Sequence, residues 1–135
     1  MVLRLIFIFF FICSISYAQN DTVTYCRFYA YNDESVFIKN KENTLDINFY
    51  INNPSDDNSS ERINFLLSKK KGINKYNVNP VNENEINILL NTSPLFDAHY
   101  LRIILERQLN VTNIHLNDQQ ITWEEFEKKF LNKSN

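Results

Sequence analysis

An α+β fold is predicted, with an antiparallel sheet of about five strands and C-terminal helices packed on one face. Three observations carry this expectation. From Thr22 to Leu90 large side chains recur mainly at every second residue, the period of half-buried strands. Beyond Thr92-Ser93-Pro94 the spacing changes to three and four, the period of a helix. The 117 residues that follow Ala18 suit one hydrophobic core and are too few for two.

The chain opens with an export signal. Arg4 precedes an apolar run from Leu5 to Cys13, and Ser16-Tyr17-Ala18 supplies small residues around a cut after Ala18. Residues 1–18 are therefore read as a cleaved signal peptide and residues 19–135 as a single exported domain, periplasmic or extracellular. The run is short for the roughly 17 to 25 residues of a membrane span, which leaves a permanent anchor as second choice. Cys13 follows Phe11-Ile12 inside the apolar core, the wrong place for lipidation. Gln19 directly after the cut resembles the signal ends of one group of Gram-negative bacteria.

Thr22 to Tyr31 alternates Thr24, Cys26, Phe28 and Ala30 with Val23, Tyr25, Arg27 and Tyr29, and Arg27 marks the wet face. Asn32-Asp33-Glu34 suits a tight turn into a short strand from Ser35 to Lys39. Leu45 to Ile51 places four large apolar residues on one face, so these three strands are expected to pair as a meander. Asn52 to Ser60, with Pro54, reads as a loop and as the most mobile surface segment. Ile63, Phe65 and Leu67 alternate, Lys69 to Gly72 turns the chain, and Tyr76 and Val78 return, which together predict a second hairpin that Asn79-Pro80 ends. Glu85 to Leu90 aligns Ile86, Ile88 and Leu90 as another strand.

Ser93-Pro94 has the form of a helix start, and Leu101, Ile104, Leu105 and Leu109 form an apolar stripe to Asn110. A strand is the rival there, because Leu101, Ile103 and Leu105 also alternate. Val111 to Leu116 is a short strand and Asn117-Asp118 a turn. Thr122 followed by Glu125 fits a capping box for a last helix with Trp123, Phe126 and Phe130 on its apolar side.

Composition narrows function by exclusion. The whole chain carries 14 basic and 16 acidic residues, so nothing invites nucleic acid, and Lys69-Lys70-Lys71 before Gly72 reads as a solvated turn. Loss of Cys13 with the leader leaves Cys26 alone, without an internal disulfide, as a core thiol on its strand. The 21 asparagines read as compositional bias, and the Asn-x-Ser/Thr triplets at Asn20, Asn58, Asn91, Asn110 and Asn132 are expected by chance in such a chain.

No set of side chains fulfils a catalytic, metal or nucleotide motif. Asp118 to Phe126 is similar to the second half of an EF-hand loop, but the first and third ligand places fall on Ile114 and Leu116, and the turn glycine is Gln119. Asp56, Asn58, Ser60 and Glu61 form a weaker oxygen cluster. No metal and no cofactor is expected. Nucleophilic catalysis would need Cys26 beside His99 or His115. The binding candidates are Tyr25, Tyr29, Tyr31 and Tyr50, which share the outer side of one sheet unless a C-terminal helix covers that side, as a two-layer fold favours. A non-enzymatic interaction module is expected, with another protein or an envelope component as partner and contact with the membrane only through the leader. A small inhibitor or immunity-type protein is the alternative, served by an acidic loop at Asn53 to Glu61, and a small Cys/His hydrolase the remote one.

Overall fold

The computed structural model describes residues 23–30 and 35–130; the leader, its cut after Ala18 and Tyr31 lie outside the described residues. Among the described residues seven strands form one sheet: β1 (Tyr25–Phe28), β2 (Ile38–Lys39), β3 (Leu45–Asn52), β4 (Ile73–Asn82), β5 (Glu85–Thr92), β6 (Asn113–Leu116) and β7 (Gln119–Ile121). Three α-helices accompany them, α1 (Ser60–Leu67), α2 (Ala98–Arg102) and α3 (Trp123–Phe130). The order across the sheet is β4-β5-β3-β1-β6-β7, with β2 against β3.

The sheet is mixed, which corrects the expectation of an antiparallel one. β1 and β6 run parallel, Cys26 opposite Ile114 and Phe28 opposite Leu116, while the other pairs are antiparallel. The cause is the long connection from β5 through α2, since a chain that returns by a helical crossover can re-enter a sheet parallel to a strand laid down earlier. Nor do the first three strands form a meander. β1 pairs with Phe49–Asn52 and β2 with Leu45–Asp46, so they lie end to end along one side of β3.

α1 replaces the expected strand at Ile63, Phe65 and Leu67. Ile63 and Leu67 are buried four residues apart, while Phe65 between them is exposed. Ser59 Oγ accepts from the Arg62 amide and caps the helix. β4 also runs through Pro80, because it is the sheet's edge strand, where a missing N–H is tolerated; the register shifts between Pro80 and Asn82.

The helix expected from Pro94 begins later. Asp97 rather than Ser93 caps it, accepting from the Tyr100 amide at 2.8 Å, and Phe96 turns back onto the Ser93 carbonyl instead. After Arg102 the coil widens to a π-helix over Ile103–Gln108, ending with Leu109 N donating to Ile104 O. All four expected stripe residues, Leu101, Ile104, Leu105 and Leu109, are buried. α3 starts as anticipated, with the Glu125 amide on Thr122 Oγ1 at 3.1 Å.

One contiguous core joins the inward side chains of the sheet to these helices. Phe28 stacks on Phe49 at 5.1 Å and meets Phe126 at 4.8 Å, which seats α3 on the inner side of β1. Trp123 buries its ring and donates from Nε1 to the Val111 carbonyl at 3.0 Å. Arg102 clamps α2 to α3 by contacting Glu106, Glu124 and Glu127. The Glu124 carboxyl is held below its ordinary range by its own backbone amide first and then by Arg102. A depressed folded value gives stability that is present at neutral pH and lost as pH falls through the carboxylate range. The urea midpoint should therefore be flat near neutrality and fall in acid, with a shallower fall in Glu124→Gln.

Asparagine also does a backbone task in a chain with one glycine. Asn43, Asn53, Asn110, Asn117 and Asp118 all hold positive φ, between 49° and 66°. Short polar side chains tolerate this left-handed region best after glycine, and Asn117-Asp118 thereby form the two-residue turn of the β6–β7 hairpin. Asn110→Ala should cost about 1 kcal/mol and Asn110→Gly much less, as read from thermal unfolding of the two variants.

Candidate functional site

The core lies on one side of the sheet, and no helix among the described residues lies on the other. Tyr25, Arg27 and Tyr29 on β1 and its extension point to it, opposite in sense to buried Cys26, Phe28 and Ala30. Tyr50, the register partner of Arg27, points the same way, between buried Phe49 and Ile51. The C-terminal helix thus covers the side opposite to the tyrosines, because Phe28, not Tyr29, meets Trp123 and Phe126.

Arg27 organises this surface. Its guanidinium lies 4.5 Å from the Tyr50 ring centre and 5.5 Å from that of Tyr29. Nη1 donates to Tyr29 Oη at 3.1 Å, and Nη2 pairs with Glu85 Oε1 from β5. Tyr29 Oη in turn donates to Asp118 Oδ1 at 2.9 Å in the β6–β7 turn. Tyr25 stacks on His115 of β6, ring centres 4.3 Å apart. Three of the four expected tyrosines are therefore on one face; Tyr31 lies outside the described residues.

These contacts place the side chains more than they stabilise the fold. The Arg27 and Glu85 side chains remain 24% and 21% exposed, and a cation over a ring in such a setting contributes about 0.5–1 kcal/mol. Burial works against the Arg27 charge, but the Tyr29 hydrogen bond and the Glu85 carboxylate, joined in alkali by Tyr29 and Tyr25 once ionised, more than offset it, so its pKa moves up. Tyr29 is pushed above the ordinary tyrosine value by burial and by its bond to Asp118, against the lowering effect of Arg27. One tyrosine should consequently ionise late in an ultraviolet alkaline titration, and Asp118→Asn should bring it back toward the rest.

Two hollows adjoin the cluster. One of about 340 Å³ is lined by Arg27, Tyr29, Ser35, Tyr50 and Glu85, among others. A second of about 380 Å³ lies over Asp46, Lys75, Asn77, Leu89 and Asn91. Both include Ile38 and Asn48, so they form one trough along the sheet. Sequence reasoning used Arg27 only to mark the wet side and missed Asn48, Asn87, Leu89 and Asn91. The signal was the residues interleaved with Ile47, Ile86, Ile88 and Leu90, which were used only to recognise strands.

The Cys/His pairing is not formed. Cys26 is fully buried in the core, His115 is on the opposite side of the sheet, and His99 stands exposed on α2, 2.5 Å from Glu127. Burial pushes the Cys26 thiol far up, away from thiolate chemistry. Iodoacetamide should leave the native protein unlabelled and modify Cys26 only after denaturation. The segment similar to half an EF-hand is a β-hairpin followed by a capped helix. Among the described residues no group of three or more His, Cys, Asp or Glu side chains could hold a metal ion.

The acidic loop at Asn53 to Glu61 is anchored through Asn58, while Asp56, Asp57 and Glu61 stay exposed. Asn58 is buried, accepts from the Ser55 amide at 2.6 Å and donates to the Leu109 carbonyl at 3.1 Å. Asp56–Asn58 forms a 3₁₀ turn, and Glu61 belongs to α1. Comparison with protein-family models, with curated proteins and with solved structures finds no match to this chain.

Proposed function

We propose that this chain is an exported, non-enzymatic binding module that engages another protein or an envelope component through the uncovered side of its sheet. The observation that carries the reading is the Arg27–Tyr29–Tyr50 cluster, held in place by Glu85 and Asp118 on a side that no helix among the described residues covers. Tyrosine and arginine anchor recognition surfaces because each joins a large, stiff contact area to polar groups. Side chains already ordered lose little entropy on binding. Export rests on the leader of residues 1–18, and a mature chain beginning at Gln19 in mass spectrometry would support it, whereas Met1 retained in native material would count against it.

The inhibitor alternative, motivated by size, acidity and export, would use the loop at Asn53 to Glu61, which Asn58 anchors while Asp56, Asp57 and Glu61 stay exposed. The hydrolase reading lacks its paired groups. The test is capture of partners by the mature protein, with Arg27→Ala/Tyr50→Ala compared against Lys128→Ala on α3. Loss of capture only in the first variant supports the reading; equal capture by all three contradicts it.

A further inference from the structure

Resting on the binding-face reading, we propose that the trough takes a neutral oligosaccharide. Charge comes first. Arg27, Lys75, Asp46 and Glu85 line it, two cations and two carboxylates. Arg27 is already paired with Glu85, and Asp46 already accepts from Asn91 at 2.7 Å and from Asn40 at 3.3 Å. Lys75 is exposed and has no ion pair among the described residues, but the two cations and two carboxylates sum to zero and three of the four are already partnered, so the trough complements a ligand without net charge.

Hydrogen bonding comes next. Asn48, Asn77 and Asn91 bring carboxamides to a lining that is otherwise largely apolar, and each offers both donors and an acceptor. They are fixed by one another across strands: Asn87 donates to Asn48 Oδ1 at 2.7 Å, and Asn74 donates to Asn91 Oδ1 at 3.2 Å. A polyol matches such a surface, since every hydroxyl both donates and accepts. Between the amides, Ile38 and Leu89 stand 58% and 41% exposed, apolar patches suited to the C–H faces of sugar rings.

A peptide fits less well. The trough lies over the face of the sheet, where backbone donors and acceptors are spent in the ladder, and strand addition would need the β4 edge. There Pro80 and two register shifts interrupt the pairing pattern.

The experiment is isothermal calorimetry of the native chain with neutral hexose and N-acetylhexosamine tetrasaccharides and with a uronate tetrasaccharide. Saturable binding of a neutral tetrasaccharide is expected, weakened about tenfold in Asn48→Ala/Asn77→Ala by the loss of ligand hydrogen bonds, and unchanged in Lys128→Ala. Binding of the uronate alone would overturn the neutral assignment. Absence of any saccharide binding, with partner capture still dependent on Arg27 and Tyr50, would overturn the oligosaccharide and leave the binding face standing. If neither saccharide nor partner binding responds to the face variants, both readings fall.

Discussion

Phe126→Ala should destabilise the protein by about 3–5 kcal/mol, the range for removing a fully buried aromatic ring. Phe126 has no exposed surface and joins three rings, Phe28 at 4.8 Å, Phe130 at 4.9 Å and Trp123 at 5.4 Å. No neighbour can fill the space cheaply, because Phe28 belongs to a strand paired on both sides and Trp123 is held by its bond to Val111. A loss this large is comparable to the whole stability of many domains of this size. Urea unfolding followed by tryptophan fluorescence measures it, and Trp123 reports directly from the affected cluster. A cost below about 1 kcal/mol, the level of a surface change, would mean that α3 does not seat on the sheet as described.

Asn58→Ala is expected to cost about 2–3 kcal/mol, which is large for a residue between two loops. Its amide satisfies the Ser55 N–H and the Leu109 carbonyl, and the residue is 1% exposed. Alanine would leave both groups without their partner, and an unsatisfied buried polar group costs more than the hydrogen bond itself contributed. The effect should be local before it is global. Hydrogen exchange should accelerate in residues 53–59 and at Leu109 to Val111, where the π-helix ends, before the sheet opens. Uniform acceleration would show instead that Asn58 supports the whole core.

Legibility in the sequence followed the range of the interaction. β3 and β5 were readable because Leu45 to Ile51 and Ile86 to Leu90 alternate within their own length. α3 was readable because Thr122, Trp123, Phe126 and Phe130 combine a local cap with a local stripe. α1 was misread because Ile63, Phe65 and Leu67 satisfy period two while Ile63, Leu66 and Leu67 satisfy the helical spacing, and only burial separates the two. The π-helix after Arg102 left no mark, since Leu101, Ile104, Leu105 and Leu109 face inward in either coil. The parallel pairing of β1 with β6 depends on which strands meet after the whole of residues 29–112 has intervened, something no local pattern encodes.

The site was half legible for the same reason. Alternation in Tyr25, Arg27 and Tyr29 identified one side of a strand, but whether that side meets water or a helix is decided by where Phe28 finds its partners. Asparagine richness, taken as compositional bias, proved to serve left-handed turns at Asn43, Asn53, Asn110 and Asn117 and a side-chain network over the sheet.

That the uncovered side of the sheet does the binding is tested most directly by mapping side-chain amide resonances in solution during titration with the captured partner or a bound saccharide. Asn48, Asn77, Asn87 and Asn91 should move together with the Arg27 guanidinium signal, while Gln108 at the end of the π-helix and the Trp123 indole stay still. Movement confined to the helical side, with the four asparagines unchanged, would contradict it.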